Sequence, residues 1–170
     1  VFAPQKGASP EQIIMLDNQL CLWSDLLKQN TGKDITQLKH GGAAGGITAA
    51  MYALLNAQLI SGSEYCLTLS RFHDNLLQAG VVITGEGKID LQSFYGKIPG
   101  TVANLCQKHN VPVYAVVGLA EKQVLTRFDK VFIMSQYTRS IQDSIKNAPH
   151  YLKIISQAIV DTLYLSAYSD

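Results

Sequence analysis

The chain has 170 residues, of which 47% are hydrophobic and 16% are charged, a composition that excludes disordered and fibrous proteins. Fourteen Lys and Arg residues nearly balance thirteen Asp and Glu residues without forming a block, so there is no electrostatic reason to expect a nucleic acid or membrane partner. No apolar run reaches the roughly 18 residues of a membrane span, and no signal peptide opens the sequence. These features favour a cytoplasmic protein that acts on small molecules.

The cysteines give no sign of a disulfide framework. Cys21, Cys66 and Cys106 are odd in number, widely spaced and set among apolar neighbours. A framework or a zinc site would need closer pairs, so we expect reduced, buried thiols. The first residue is Val rather than Met, and we expect the sequence to be a fragment of a longer protein.

The first helix is predicted from its start signals. Ser9 is a suitable N-cap, Pro10 suits the first helical position, and Gln12 can close a capping box. The helix should end near Gly32 and bury one apolar stripe. The members of this stripe are Ile13, Leu16, Leu20, Trp23 and Leu27.

A second helix is expected to follow the glycine-rich segment His40–Gly46 and to run to about Leu59. A glycine-rich entry to a helix can bind an anion through its free backbone N–H groups. Close packing of helices through small residues is an equally good explanation of the same segment. The spacing fits neither a Walker A loop nor a Rossmann fingerprint.

The next stretch is predicted as a short strand followed by a short helix. The strand covers residues 65–69, and Ser70 is expected to cap the helix. Phe72, Leu76 and Leu77 should face inward on that helix, which should end near Gly80.

From Val81 onward the pattern is strand, helix, strand and helix. Apolar strands are predicted at Val81–Ile83, Val111–Val117 and Val131–Met134, with a helix starting near Pro99. A strand–helix–strand unit of this length places its strands parallel. A final helix from Pro149 is expected to bury Leu152, Ile155, Ile159 and Leu163.

These elements predict an α/β fold with parallel strands. Residues 81–170 are typical of half of a doubly wound, Rossmann-like sheet. Residues 1–80 are predicted to be a mostly helical segment that belongs to a second α/β domain. Three parallel strands make a small sheet, so we expect neighbouring strands from sequence outside the chain.

The candidate chemistry lies just after the first strand, where the chain is expected to bend into a glycine loop at residues 85–87. Glu86 and Asp90 can hold Mg²⁺, or one of them can act as a general base toward a hydroxyl group. Lys88 and Lys97 can neutralise a phosphoryl group in transfer. A solvated loop with alternating charges is the alternative interpretation.

Four motifs occur in one order along the chain: Pro4–Ala8, Gly42–Gly46, Thr84–Gln92 and Gly96–Pro99. Together they resemble the bacterial glycerate kinase family, and the similarity covers nearly the whole chain. The chain corresponds to the C-terminal part of the family's longer proteins, whose Asp-Ser-Phe-Lys, Asp-Gly-Gly-Glu-Gly and Gly-Gly-Ser-Ala-Thr segments it does not contain. Ser93 stands where the family tends to have threonine.

The resemblance implies phosphorylation of D-glycerate to 2-phosphoglycerate by ATP with Mg²⁺, in the metabolism of glycolate, glyoxylate and sugar acids. It points to Glu86, Asp90 and Lys97 as catalytic residues, and to Glu86 and Asp90 as metal ligands. The residues that it assigns to substrate or phosphate binding are Lys6, Gly42, Gly45, Gly46, Gly85, Gly87, Lys88 and Gln92.

Two alternatives stay open at this point. The chain could be a catalytically inactive fragment that serves as a binding or oligomerisation module, or a kinase of another small hydroxy acid. A homo-oligomer is also left open by the sequence.

Overall fold

A computed structural model of the chain describes residues 3–167. The chain divides into two compact units, Val1–Ser61 and Gly62–Asp170, whereas the predicted halves meet near residue 80. The division falls earlier because Leu67 and Leu76, on the first two helices of the second unit, belong to that unit's core. Membership of residues 1–80 in a second α/β domain stays a prediction.

Over its described residues, 3–61, the first unit contains two α-helices. They are α1, Pro10–Thr31, and α2, Ile47–Leu55, and 3₁₀ helices cover Pro4–Lys6 and Ala43–Gly46. Both predicted ends of α1 are confirmed. The Ser9 N–H donates to Gln12 Oε1 over 2.8 Å, the Gln12 N–H donates back to Ser9 Oγ, and Gly32 ends the helix in the left-handed conformation.

The core of the first unit is small. Its buried members are Leu27, Ile35, Ala49 and Ala53, with Trp23, Leu38 and Tyr52 packed around them. The predicted burial of the α1 stripe is wrong for Leu16 and Leu20, which are 41% and 43% exposed. A 22-residue helix is longer than the nine-residue α2 can cover. The predicted extension of α2 to Leu59 is also wrong, because α2 ends at Leu55.

The second unit contains five α-helices and three strands among the residues that the structure describes. They are α3, Gly62–Leu69; α4, Phe72–Leu76; β1, Val82–Ile89; α5, Ile98–His109; β2, Val113–Ala120; β3, Lys130–Ile133; α6, Ile141–Lys146; and α7, Ala148–Ala167. Within residues 3–167, no helix is long and apolar enough to cross a membrane.

The strands form one parallel sheet in the order β1-β2-β3, which confirms the predicted α/β class with parallel strands. Alternate residues of β2 enter two cores. Val113, Ala115 and Val117 pack in the cluster that contains α5, while Tyr114 and Val116 pack with α7. Helices therefore cover both faces of the sheet, as expected for parallel strands.

The predicted strand at residues 65–69 is wrong, since these residues form most of α3. Ser70 does not cap α4, because its hydroxyl donates to the Leu67 carbonyl, and Leu77 is 70% exposed rather than buried. Both errors concern short apolar runs, residues 65–69 and the few residues of α4. In such a segment local patterns decide poorly between helix and strand.

The last helix is predicted well at its start and less well along its length. α7 begins at Ala148, one residue before Pro149, and buries Ile155 and Ile159. Leu152 is 43% exposed and was expected to be buried. The short helix α6 before it was not predicted.

The three thiols differ in exposure. All are free, but Cys21 and Cys66 are exposed and only Cys106 is buried, so the predicted burial holds for one thiol. Burial, and secondarily the charge of Asp129, raises the pKa of Cys106 to about 11.

We therefore expect a thiol reagent such as DTNB at pH 8 to modify two thiols of the native protein quickly. The thiolate is the reactive form, so the third thiol should react only on unfolding. Counting released thionitrobenzoate in native protein and in guanidinium checks this. Fast reaction of all three native thiols would contradict the burial of Cys106, and Cys106→Ala should leave the fast count unchanged.

Candidate functional site

β1 continues through residues 85–87, so the predicted glycine loop is wrong. Glu86 pairs with Val117 of β2, and the strand ends only at Ile89. The side chains that were expected to gather around a bend are instead displayed along an extended strand.

Glycines allow this strand to lie close to its neighbour. A Cβ atom on Gly118 would be 2.4 Å from the Gly87 carbonyl oxygen, and a Cβ on Gly85 would be 3.1 Å from the Val116 carbonyl oxygen. Atoms at the first of these distances overlap, so a side chain at position 118 would push β1 and β2 apart. Gly85 and Gly118 therefore serve close strand packing rather than a turn.

The extended strand separates the two predicted metal ligands. Glu86 and Asp90 are four residues apart, which at the rise of a β-strand puts their Cα atoms about 13 Å apart. Two carboxylates at that separation do not fit one Mg²⁺ that both contact directly. Consistently, no group of three or more His, Cys, Asp or Glu side chains within residues 3–167 is placed to hold a metal ion.

Lys88 is held between two carboxylates at the carboxyl end of β1. Its Nζ lies 2.9 Å from Glu121 Oε1 and 3.4 Å from Asp90 Oδ2. The hydrogen bond and charge of Glu121, and then those of Asp90, raise the pKa of Lys88 above its usual value. Lys88 is half exposed, so these ion pairs fix its position more than they stabilise the fold.

Asp90 is a buried carboxylate that caps the next turn. It is 6% exposed, and its Oδ1 accepts the Ser93 N–H over 3.2 Å while the Asp90 N–H donates to Ser93 Oγ over 3.2 Å. This reciprocal pair opens the 3₁₀ helix Leu91–Phe94. Ser93 is completely buried, and a serine hydroxyl is sufficient to close the pair where the family resemblance leads one to expect threonine.

The turn is packed directly against the start of α5. A Cβ atom on Gly100 would lie 2.3 Å from the Ser93 carbonyl oxygen and 2.6 Å from Phe94 Cα. Lys97 is the N-cap residue of α5, and its carbonyl accepts hydrogen bonds from the N–H and hydroxyl of Thr101. The positions of Asp90 and Lys97 are therefore linked through one compact junction.

Two predicted site residues at this junction have side-chain atoms without partners. Lys97 is half-buried, and its ammonium group makes no ion pair or hydrogen bond with the described part of the chain. The Oε1 atom of Gln92 is buried and, among the same residues, accepts no hydrogen bond. Unpaired polar atoms of this kind are able to bind a polar ligand.

A cavity of about 370 Å³ lies at the carboxyl ends of the strands. Glu86 is its only lining carboxylate, and this half-buried side chain has no hydrogen bond or ion pair with the described residues. The other walls include Leu119, Met134 and Ile145 and are mostly apolar. This is the position at which ligands of open parallel sheets bind.

The other predicted ligand-binding residues lie in the first unit. Gly42, Gly45 and Gly46 line a cavity of about 450 Å³, while Lys6 is exposed. A Cβ on Gly46 would be 3.1 Å from a ring carbon of Trp23, so this glycine serves close packing.

The charge around that cavity does not favour an anion. Among the residues that the structure describes, Asp25 is the only charged side chain that lines this cavity, and its carboxylate would repel a phosphate or a carboxylate. Of the two explanations of the glycine-rich segment, close packing has the stronger support in the structure.

The sequence reasoning missed Glu121, which directly follows β2. A signal for it exists, because side chains just after neighbouring parallel strands share one edge of the sheet. Applied to β2 as well as to β1, this rule would have selected the residue that pairs with Lys88.

Comparison with known proteins agrees with the resemblance noted in the sequence. The sequence model described as the glycerate kinase family matches residues 1–164. The glycerate 2-kinase of Escherichia coli K12 is 42% identical over 118 residues, which cover 69% of this chain and 31% of that protein. The glycerate kinase of Haemophilus influenzae Rd is 34% identical over 167 residues, covering 96% of this chain and 44% of the relative.

A solved structure gives the same result. The crystal structure assigned as glycerate kinase 2 from Salmonella typhimurium LT2 aligns with a TM-score of 0.62 and 36% identity, covering 98% of this chain and 44% of the other. The chain thus spans less than half the length of these relatives. Because the family model matches almost the entire sequence, the chain belongs to the glycerate kinase family.

Proposed function

We propose that this chain contributes to a cytoplasmic kinase that transfers the γ-phosphoryl group of ATP to the 2-hydroxyl of D-glycerate, giving 2-phosphoglycerate and ADP. The observation that carries the proposal is the set of ionic side chains at the carboxyl ends of β1 and β2. There Lys88 is fixed between Asp90 and Glu121, beside a cavity that contains the unpaired Glu86. Family membership supplies the reaction class.

The two lysines suit different tasks. Lys97 has no carboxylate partner in the described part of the chain, so its charge is available to a phosphoryl or carboxylate group. The positive charge of Lys88 is already paired with Glu121 and Asp90, and a phosphate of a ligand would have to compete with both carboxylates. We therefore assign phosphate neutralisation mainly to Lys97 and orientation of the transferred group to Lys88.

The carboxylates also suit different tasks. Glu86 lines the cavity and has no hydrogen bond or ion pair among the described residues. It can therefore accept the proton of the glycerate 2-hydroxyl as the oxygen attacks the γ-phosphorus and the bond to ADP breaks. Asp90 is buried, and its carboxylate already accepts a hydrogen bond from Ser93 and pairs with Lys88. We therefore assign it the role of positioning Lys88.

Magnesium is not assigned to a shared Glu86–Asp90 site. The strand holds these two carboxylates about 13 Å apart at their Cα atoms, and we derive no step from a metal bound by both.

An assay of the purified chain with ATP and D-glycerate tests the proposal. Enolase coupling detects 2-phosphoglycerate directly, and release of ADP is followed in parallel. We expect Lys97→Met to lower kcat/KM by about 100-fold, because it removes a charge that stabilises the transferred phosphoryl group. Lys130→Met is a matched control, since Lys130 is exposed at the amino end of β3, away from the strands' carboxyl ends.

Each outcome assigns a function. ADP release and 2-phosphoglycerate formation that require glycerate support the kinase, and unchanged kcat and KM in Lys97→Met exclude the role of Lys97. Turnover with another small hydroxy acid, and not with glycerate, would identify that acid as the substrate. Binding of ATP or glycerate without turnover favours a binding module over an enzyme.

A further inference from the structure

Glu121, which directly follows β2, is the carboxylate that reaches Lys88 from the neighbouring strand. Its Oε1 accepts a hydrogen bond from Lys88 Nζ over 2.9 Å, and its backbone N–H donates to the Ile89 carbonyl over 3.0 Å. The backbone contact fixes Glu121 against the end of β1. Ligands of parallel sheets bind at this edge, so a phosphate bound there would meet Lys88 together with both of its carboxylate partners.

The two partners of Lys88 are held in different ways. The side chain of Asp90 is 9% exposed, whereas that of Glu121 is 38% exposed. Asp90 Oδ1 accepts the Ser93 N–H, and Oδ2 lies 3.4 Å from Lys88 Nζ. Removing Lys88 would leave a buried carboxylate without the one cation that pairs with it among residues 3–167, and such a loss is costly. Asp90 is therefore the permanent partner of Lys88.

Glu121 can leave Lys88 at much lower cost. More than a third of its side chain is open to water, which can solvate the released oxygen. Its other oxygen, Oε2, accepts a hydrogen bond from Gln123 Nε2 over 3.3 Å, so the carboxylate would keep a partner. Ion pairs with this degree of exposure contribute little to stability. Loss of the Lys88–Glu121 pair should therefore leave the fold intact.

The charge of the group also favours an exchange of partners. One ammonium group faces two carboxylates, so a negative charge is in excess around Lys88. A phosphate added to this set would be repelled by that excess. When Glu121 turns toward solvent instead, Lys88 and Asp90 balance each other and a phosphate oxygen can take the vacated position on Nζ.

We propose that Glu121 is the displaceable counter-ion of Lys88. It holds the ammonium group in place in the empty site, and a phosphate oxygen of the donor replaces it while Asp90 stays paired with Lys88. Glu121 thereby lowers the affinity of the site for phosphate and is a positioning residue. The identity of the donor, ATP, rests on the function proposed above, whereas the exchange itself requires only a ligand that carries phosphate.

Calorimetric titration with ATP and with inorganic tripolyphosphate tests the exchange. We expect Glu121→Gln to bind both ligands about threefold to fivefold more tightly, because no exposed ion pair has to be broken. In a Lys88→Met background the same substitution should change the affinity by less than about twofold, since only screened repulsion remains. Asp74→Asn is the control, because it removes a charge from the exposed pair with Arg71 and should not alter the affinity.

NMR of the ¹⁵N-labelled lysine ammonium groups observes the exchange directly. The Lys88 Nζ signal is assigned by its loss in Lys88→Met. Glu121→Gln should shift this signal in the free protein, whereas the signals of variant and parent should nearly coincide at saturating tripolyphosphate, because Glu121 then contacts Nζ in neither. Asp90→Asn should differ from the parent protein in both states, since Asp90 stays paired with Lys88.

Several results would overturn the exchange. They are an unchanged or weaker affinity in Glu121→Gln, an equal gain in the Lys88→Met background, liganded Nζ signals that stay apart, and no binding of either ligand. The kinase is judged separately by turnover with D-glycerate. Exchange without turnover would reject the kinase and keep the role of Glu121, while turnover with an unaltered affinity in Glu121→Gln would do the reverse.

Discussion

Replacing Gly100 with alanine is expected to destabilise the second unit strongly, although alanine is the better helix former. Gly100 lies in the first turn of α5, where a Cβ atom would be 2.3 Å from the Ser93 carbonyl oxygen and 2.6 Å from Phe94 Cα. Both neighbours are backbone atoms, so no side chain can rotate away. Overpacking of this kind typically costs about 1–3 kcal/mol, and the helix propensity of alanine returns at most about 1 kcal/mol.

We expect the steric overlap to outweigh the gain in helix propensity. Contacts under 3 Å with the backbone of Ser93 and Phe94 require this backbone to move. A loss of about 2 kcal/mol lowers Tm by roughly 4–8 °C in a chain of this size, which calorimetry or circular dichroism would detect. Gly62→Ala is the control, since Gly62 begins α3 and a Cβ there meets nothing within 4 Å. An equal or higher Tm in Gly100→Ala would show that the junction is looser than described.

The parts of the fold that could be predicted are those fixed by local chemistry. The start of α1 follows from Ser9 and Gln12, which form their capping box with side chains of the same turn. The end of α1 is equally local, because Gly32 takes the left-handed conformation that ends the helix. Such signals act within about one turn and need no tertiary contact.

The extent of β1 could not be predicted, because it depends on contacts between residues that are far apart in the sequence. Glycines usually interrupt a strand, and a single sequence gives no sign that Gly87 will face Gly118 across a strand pair. The close approach that makes glycine necessary at position 118 exists only once β1 and β2 are paired. A contact between residues so far apart in sequence lies outside any local rule.

The arrangement of the charged side chains near the end of β1 could not be predicted from the sequence. Asp90 and Lys88 are brought together as expected, but by an ion pair with each other and with Glu121 rather than around a shared metal. The position of Glu86 depends on whether residues 85–87 bend or extend. The sequence patterns selected Lys88 and Asp90 but not Glu121, and the tertiary pairing of the strands decided which charged side chains meet.

We expect Asp90→Asn to lower kcat about 100-fold while leaving the fold nearly intact, and Asp90→Ala to impair both. Asparagine keeps the oxygen that accepts the Ser93 N–H, so the 3₁₀ turn should survive. It loses the charge that holds Lys88, and a misplacement of about 1 Å near the reacting atoms can cost about 100-fold in rate. Alanine removes the side-chain oxygen that caps the turn and leaves the Ser93 N–H only the Asp90 backbone carbonyl as an acceptor. Loss of such a cap typically costs about 0.5–2 kcal/mol of unfolding free energy.

The pair of variants separates positioning from folding. Kinetics with ATP and D-glycerate, together with urea unfolding, should give Asp90→Asn a low kcat, a KM for glycerate close to that of the parent protein and a nearly unchanged unfolding midpoint. Asp74→Asn makes the same chemical change at an exposed carboxylate paired with Arg71, and it should affect neither measurement. Near-normal turnover in Asp90→Asn would remove Asp90 from the site. A large loss of stability in Asp90→Asn would mean that the negative charge of Asp90 also holds the turn, because asparagine keeps the accepting oxygen and lacks the charge.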